Sequence, residues 1–463
     1  MYCLGLGAVL ADDMGLGKTL QTLAFLEKLR DEKRMGPVLI VVPTSLTYNW
    51  LNEKEKFTPD LPMRVFSAKT KDEISNFFKP QPEAVVLTTY GMMHEHKEYF
   101  QQINWNIIIF DEAQNLKTIT TQRTATARAL HSQIKICLTG TPLENHLGEF
   151  YSILDLAVPG CLGDVDEFRK VFVNTASIAA EDLRFLKLKS KPLVLRRTKQ
   201  QILSELPEKT ESRVALDFED KQKKIYRDIA ISYNQKIQEA ITTQGESKCQ
   251  LQMLTALLRL RQACSDPSAL PSVTYTRTPP KLEALKESLL EVVGSGESAL
   301  VFTQFLRTLE RTEALLKEAG LPTFTIHGGL SQSSRQKVLR EFNDCAGGAV
   351  LVMTLKTGGV GLNLAKASYV FHLEPWWNPA VENQATDRAH RMGQRRAVQV
   401  YRYIMHESVE EKIEVLKQRK QLTFNALFSD HETLDTGSVS HERIDSAGSF
   451  LSKDDFNFLL SVN

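Results

Sequence analysis

The chain has 463 residues and a formal net charge of +1, which leaves room for large cores and about three domains, and excludes a uniformly basic nucleic-acid binder, so any DNA-binding surface must be local. The six cysteines, Cys3, Cys137, Cys161, Cys249, Cys264 and Cys345, include no C-x-x-C pair; they point to neither a zinc site nor a disulfide framework but to buried or incidental thiols in a reducing compartment. No apolar run approaches membrane-spanning length, and residues 1–10 lack the basic start of a signal peptide, so a soluble intracellular protein is expected.

A short apolar run at 8–10 leads into Ala11-Asp12-Asp13-Met14-Gly15-Leu16-Gly17-Lys18-Thr19-Leu20, and a helical pattern at 21–29 leads out. From there β-branched runs at 38–42, 63–66, 84–89, 107–110 and 134–138 alternate with helical patterns. Near-continuous apolar runs of this kind are strands buried on both faces, as in a parallel sheet built from βαβ units. They predict one doubly wound α/β lobe over residues 1–155. Helix formers dominate 217–263, and Pro267, Pro271, Pro279 and Pro280 punctuate a linker. The expected result is a helical insertion over 156–280, hanging off the first lobe. Strand runs at 299–302, 323–326, 349–354, 369–372 and 398–404, separated by helical patterns at 306–319, 331–342 and 380–391, predict a second α/β lobe over 281–416. Residues 408–428 predict one helix, whose Lys412, Lys417, Arg419 and Lys420 are expected on a solvated face. A flexible tail at 429–449 and a last small helix at 451–460 complete residues 417–463.

The chemistry sits where strands end. Gly-Lys-Thr at 17–19 is the core of a phosphate-binding loop: backbone N–H groups at a helix N-terminus face anionic oxygens, Lys18 brings charge to the β- and γ-phosphates, and the Thr19 hydroxyl suits Mg²⁺. Asp12 stands where the first Gly of G-x-x-x-x-G-K-[ST] belongs. Asp111-Glu112-Ala113-Gln114 closes a buried strand; Asp111 suits the metal and Glu112 the attacking water. Leu138-Thr139-Gly140-Thr141-Pro142 closes another strand with hydroxyls able to sense phosphate contacts. Lys356-Thr357-Gly358-Gly359-Val360-Gly361-Leu362-Asn363 is a Gly-rich loop suited to a phosphate of nucleotide or DNA. Arg388 and Arg391, at i and i+3 in a predicted helix, would share a face and could stabilise charge on a transferring γ-phosphate.

Together these motifs resemble the Swi/Snf family of helicase-like, DNA-dependent ATPases in helicase superfamily two. The resemblance also includes Val42-Pro43-Thr44-Ser45-Leu46, Thr88-Thr89-Tyr90-Gly91, Leu195-Arg196-Arg197-Thr198-Lys199, Leu260-Arg261-Gln262-Ala263-Cys264, Val301-Phe302-Thr303-Gln304-Phe305, Trp376-Trp377-Asn378-Pro379 and Asp387-Arg388-Ala389-His390-Arg391-Met392-Gly393-Gln394, in order over residues 8–422. It accounts for Asp12, since the family carries an acidic residue there. It implies two RecA-like lobes, a brace helix over 408–428, ATP and Mg²⁺ as cofactors, and translocation along double-stranded DNA by a monomer. Nucleotide contacts would come from Asp13, Met14, Gly15, Leu16, Gly17, Lys18, Thr19, Leu20, Gly361 and Gln384, and the metal would lie on Thr19 and Asp111. Catalysis would fall to Lys18, Glu112 and two arginine fingers, Arg388 and Arg391, and DNA contacts to Thr44, Thr89, Thr303, Thr357, Gly358 and Trp377. Arg196, Arg197 and Lys199 would bind DNA or brace the lobes. The partner would be a DNA-bound protein such as RNA polymerase, a nucleoid protein or a recombination protein. Compact insertions and the Asp-Glu-Ala-Gln form suggest a bacterial or archaeal member in the cytoplasm at the nucleoid; a eukaryotic member would be nuclear.

One feature departs from the family. A segment that reads adenine through a Gln normally lies twenty or more residues before the phosphate loop, whereas only ten residues precede Ala11 here, and Gln21 follows the loop. The expectation is either a fragment of a longer protein or a short protein with weakened base selectivity. A non-hydrolysing DNA- or partner-binding scaffold is the alternative from another class, and a strand-separating or RNA helicase is the third.

Overall fold

The computed structural model describes residues 1–67, 82–141, 147–174, 177–202, 207–244, 246–271, 273–358, 364–376, 378–391, 393–428, 444–445 and 458–459. The expected tail at 429–449 and small helix at 451–460 lie almost wholly outside them. The chain divides into two compact units, residues 1–204 with 420–450, and residues 205–419 with 451–463.

Unit 1 begins with strand β1 (Ala8–Leu10) and helix α1 (Lys18–Asp31), followed by β2 (Val38–Val42), α2 (Thr47–Phe57), β3 (Met63–Val65), β4 (Val85–Thr89), β5 (Trp105–Asp111), β6 (Ser132–Leu138) and α3 (Leu147–Ala157). A two-residue strand β7 (Ser177–Ile178) and β8 (Val194–Leu195) come later. Seven strands form one sheet in the order β3-β4-β2-β5-β6-β1-β8, every pair parallel. The apolar runs sort by parity, as a strand period of two requires. Leu39, Val41, Ile108 and Phe110 enter one core, and Val38, Ile40, Val42, Ile107 and Ile109 enter the other. Both faces are therefore covered, and the carboxyl ends of β1, β2, β4, β5 and β6 share one edge, where open α/β sheets bind ligands.

Unit 2 begins with β9 (Lys209–Leu216), α4 (Asp220–Gln244), α5 (Glu246–Ser265) and α6 (Pro280–Gly294). Then follow β10 (Ser298–Thr303), α7 (Leu306–Glu318), β11 (Thr323–Ile326), α8 (Gln332–Asp344), β12 (Val350–Thr354), β13 (Ala367–His372), α9 (Pro379–Thr386), β14 (Val398–Met405) and α10 (Val409–Phe428). Its sheet runs β11-β12-β10-β13-β14-β9, again all parallel, with apolar cores on both faces. No described helix is long and apolar enough to cross a membrane.

The grouping of residues 205–280 differs from an insertion on the first lobe. Edge strand β9 pairs with β14 from Lys209↔Val398 to Leu216↔Met405. Met253, Leu257 and Leu260 of α5 share a core with Val409, Ile413 and Leu416 of α10. The apolar stripe of the helical pair is thus covered by the brace helix.

The solvated face expected for α10 needs a correction at Lys417. This residue is buried and donates to Glu382 Oε2 at 2.7 Å and Glu414 Oε1 at 2.5 Å. A lysine on that face is retained because two buried carboxylates meet it. The charged cluster extends to the sheet edge, where Arg402 joins Glu382 and Glu211, and Lys209 lies 2.6 Å from Glu211. Burial opposes charge on Glu211, but Arg402 and Lys209 overcome it and hold the carboxyl at about 2. A depressed carboxyl contributes stability above its ordinary range near 4.5, and that contribution is lost as pH falls towards 2. Glu211→Gln is therefore expected to lower the melting temperature at pH 7 by about 2–4 °C. It should also flatten the decline between pH 4.5 and 2; parallel melts across that range, identical for parent and variant, would refute this.

Candidate nucleotide site

The phosphate loop joins β1 to α1. Gly15 and Gly17 have φ of +87° and +73°, a left-handed backbone that glycine adopts at little cost, which is why this loop needs them. Lys18 turns its ammonium onto the carbonyls of its own loop, Asp12 O at 2.7 Å and Asp13 O at 3.3 Å. Burial lowers its pKa, opposed by the charges of Glu112, Asp111, Asp12 and Asp13. The fold therefore brings the loop and the Asp-Glu pair of β5 within electrostatic reach of one cation. Gly140 presses on the same loop: a Cβ there would lie 2.6 Å from Met14 Cγ and 3.6 Å from Lys18 Nζ.

Asp12 is fully buried, and its carboxylate is met by Arg197. Oδ1 accepts from the backbone N at 3.0 Å and from Nε at 3.1 Å, and Oδ2 accepts from Nη2 at 2.5 Å. Gln21 completes the clamp, donating to Asp12 Oδ2 at 3.2 Å and to Leu16 O at 2.9 Å while accepting from Arg197 Nη2 at 2.5 Å. Arg196 reaches Ala11 O and Asp13 Oδ1, both at 3.2 Å, and the Lys199 backbone N–H donates to Asp13 Oδ2 at 3.2 Å. The first Gly of the usual loop is replaced by an anchor, and the two arginines that follow β8 are its receptor. Arg197→Met removes the charged partner of a buried carboxylate. It is expected to cost about 1.5–3 kcal/mol in thermal or denaturant unfolding; a loss below the error of the melt would show the clamp to be idle.

Asp111 ends β5. Its Oδ2 accepts the indole N–H of Trp50 at 2.8 Å, its Oδ1 accepts the Glu112 backbone N–H at 2.9 Å, and its carbonyl accepts Tyr90 Oη at 2.7 Å. Burial, then the neighbouring Glu112, push the Asp111 carboxyl up to about 7, against the indole and Lys18. Such a pair is short of positive charge, which a divalent cation would supply. Asp111 and Thr19 offer hard oxygen donors. Among the described residues no group of three or more His, Cys, Asp or Glu stands ready to hold a metal alone. That set fits Mg²⁺, which takes one or two carboxylates and completes its shell with phosphate oxygens and water.

Glu112 occupies a left-handed backbone, φ +49°, ψ +54°, an uncommon state for a non-glycine residue and one concentrated at functional sites. Its carboxylate accepts from Gln114 Nε2 at 2.7 Å, and Gln114 Oε1 accepts from Thr139 Oγ1 at 2.9 Å. The backbone N of Thr139 donates to Leu10 O at 3.0 Å. The Asp-Glu-Ala-Gln and Thr-Gly-Thr motifs thus form one hydrogen-bonded chain ending at the first strand. Pro142 and Gly361 lie outside the described residues, as does Trp377.

The expected DNA-contact residues separate. Thr44 is exposed in the turn Thr44–Leu46 after β2. Thr89 caps the helix Tyr90–Glu95, its hydroxyl accepting Met92 N at 3.2 Å. In unit 2, Thr303 is only 1 % exposed and donates to Glu374 Oε1 at 3.0 Å. Thr357 is buried in the turn Leu355–Gly358 and donates to Thr354 O at 2.8 Å. Both hydroxyls are engaged within unit 2.

A further correction concerns Arg388 and Arg391. Helix α9 ends at Thr386, so the two do not share a helical face. The next residues form turns, with Arg388 N bonded to Ala385 O and Ala389 N to Thr386 O. The turns are held by Gln394, whose buried amide donates to Ala365 O, Ala367 O and Ala389 O and accepts Arg395 N and Arg396 N. His372 Nε2 meets Thr386 Oγ1 at 2.9 Å where the helix stops. Arg388 is buried, while Arg391 and Gln384 are half-buried. The Leu-Arg-Gln-Ala-Cys segment also acts inside unit 2: Arg261 donates to Gln304 Oε1 and Pro375 O and stacks over Trp376.

Sequence reasoning did not find Trp50, which lies on an amphipathic helix and reads as a core residue; nothing local marks an indole aimed at a carboxylate 61 residues away.

A family model for the SNF2-related domain matches residues 2–269, and one for the helicase conserved C-terminal domain matches 280–393. The putative ATP-dependent helicase/translocase YwqA of Bacillus subtilis is 36 % identical over 428 residues, 90 % of this chain and 46 % of that protein. An uncharacterized ATP-dependent helicase of Mycoplasma pneumoniae is 32 % identical, over 92 % of this chain and 40 % of its own length. The mouse SWI/SNF-related matrix-associated actin-dependent regulator of chromatin subfamily A member 1 is 31 % identical, over 89 % and 40 %. The solved Sulfolobus solfataricus SWI2/SNF2 ATPase core in complex with dsDNA is 31 % identical over 93 % of this chain and 90 % of that one, with a TM-score of 0.44. The chain spans less than half the length of these curated relatives. With the SNF2-related model matched over more than half of its residues, the chain belongs to the SNF2-related family.

Proposed function

We propose that this chain is the motor core of an ATP-dependent translocase on double-stranded DNA that displaces or remodels DNA-bound proteins. The observation that carries the proposal is the phosphate loop with Lys18 at the carboxyl edge of a parallel sheet, within electrostatic reach of Asp111 and Glu112 at the end of β5, in a chain of the SNF2-related family. Bound Mg²⁺ would neutralise charge on the β- and γ-phosphates. Asp111 and the Thr19 hydroxyl would hold it. Residues 13–20 cradle the phosphates with backbone N–H groups, and Lys18 exchanges its loop carbonyls for phosphate oxygens. Glu112, held by Gln114, orients the attacking water and takes its proton. Arg388 and Arg391 are assigned to the charge developing on the transferred phosphate, and Gln384 and Gly361 to the nucleotide. For DNA phosphates, exposed Thr44 is the favoured contact in unit 1, with Gly358 and Trp377 assigned by resemblance. The partner remains a class: a protein bound to the same duplex.

The test is steady-state phosphate release with no DNA, single-stranded DNA and linear duplex. Stimulation by duplex above single strand, absent in Lys18→Ala, is expected. Release indistinguishable from the Lys18→Ala background under all three conditions would refute an ATP-driven motor. Efficient strand separation would instead favour a strand-separating helicase.

A further inference from the structure

Trp50 is the residue whose chemistry the reading above leaves unused. It is wholly buried on α2, in the same core as Leu46 one helical turn before it. An indole N–H is a donor only, and here its acceptor is Asp111 Oδ2 at 2.8 Å. The other oxygen, Oδ1, accepts the Glu112 backbone N–H at 2.9 Å. Each oxygen of the carboxylate is therefore held by one donor, which fixes its rotation and leaves further lone pairs for another group. Groups that hydrogen-bond to a metal's ligands orient them and raise affinity by about 10–100-fold. Helix α2 starts directly after the turn Thr44–Leu46, so the indole sits on a rigid element continuous with that exposed turn.

We propose that Trp50 is a positioning residue for the Mg²⁺ carboxylate, and that α2 makes the aim of Asp111 responsive to whatever engages the Thr44–Leu46 turn. This rests on the reading of unit 1 as an ATP- and DNA-binding lobe. If Trp50 only packed the core, phenylalanine would replace it with little more than a loss of stability. If it aims the carboxylate, loss of the N–H is felt at the metal.

The experiment follows Mn²⁺ binding to the full chain by electron paramagnetic resonance, with a non-hydrolysable ATP analogue present. Trp50→Phe should weaken Mn²⁺ binding about tenfold or more. Leu26→Ala, a truncation in the same core, should lower stability without moving Mn²⁺ affinity. Equal Mn²⁺ affinity in parent and Trp50→Phe, or an equal loss in Leu26→Ala, overturns the positioning assignment. A parent with no saturable Mn²⁺ site overturns the nucleotide-site reading itself, and the Trp50 proposal with it. A second measurement needs no Trp50 variant. With 5-fluorotryptophan in place of the four tryptophans, the ¹⁹F signal shifted by Asp111→Asn should also shift when Mg²⁺ and the analogue bind, and again when duplex DNA is added. No shift with Mg²⁺ and analogue overturns the positioning role; a shift with them but none with DNA overturns the link through α2.

Discussion

Glu112→Gln should lower ATP turnover by about 10²–10⁴-fold, the range for loss of a positioned general base, with nucleotide affinity close to that of the parent. The amide keeps the size of the side chain and its acceptor for Gln114 Nε2, so the Gln114–Thr139 chain is preserved. What it loses is basicity at the point where the backbone is held in its left-handed state. Single-turnover phosphate release, with binding measured by calorimetry, separates the two effects. Turnover within tenfold of the parent would remove Glu112 from the chemistry, and lost binding would mean that the substitution disturbed the site rather than the proton transfer.

Lys281→Met should destabilise unit 2 by about 3–5 kcal/mol, the cost of stranding one member of a buried ion pair. Lys281 and Glu410 are both fully inaccessible. The ammonium donates to Glu410 Oε1 at 2.8 Å, to Oε2 at 2.7 Å and to Leu373 O at 2.6 Å, and Glu410 Oε2 also accepts Met405 N at 2.9 Å. Burial raises the Glu410 pKa and Lys281 opposes it, so removing the lysine drives the carboxyl further up. A carboxyl raised in the folded state costs stability above its unfolded range, and the cost grows with pH until the folded pKa is passed. The defect of Lys281→Met should therefore be smaller at pH 5 than at pH 8, whereas Lys281→Met with Glu410→Leu should recover much of the loss at both. Denaturant melts at the two pH values decide this; a pH-independent defect, unrelieved in the double variant, would refute it.

The sheet interiors were legible because their strands are uninterrupted apolar runs. Residues 38–42 and 323–326 match β2 and β11 at both ends. Edge strand β9 was not legible, because Lys209-Thr210-Glu211-Ser212-Arg213 presents a polar residue at every position, and its charges are satisfied by Arg402 and Glu414, which sequence spacing does not reveal. The helix expected through Arg391 had acceptable helix formers; its end at Thr386 goes with contacts that propensity does not reveal, the His372–Thr386 bond and the Gln394 amide donating to Ala365 O, Ala367 O and Ala389 O. At the site, Lys18, Asp111 and Glu112 could be named from spacing and the sheet rule. Trp50, the close approach of Gly140 to Met14 and the destination of Arg197 could not, since each depends on a contact with a remote part of the chain.

The clamp on Asp12 also imposes an order of assembly. Strand β1 lies between β6 and β8, pairing Val9 with Cys137 on one side and with Val194 on the other. Arg197 lies 185 residues beyond the aspartate it secures. A growing chain has made all of its first motif long before this partner leaves the ribosome, and loop closures of that span are slow. Until then β1 is an open sheet edge, the kind that recruits a neighbouring strand in aggregation. Truncations ending before residue 193 are consequently expected to be poorly soluble even though they contain every residue of the Gly-Lys-Thr and Asp-Glu motifs, and emergence of residue 197 from the ribosome marks the point at which the seven-stranded sheet can be completed and Asp12 secured.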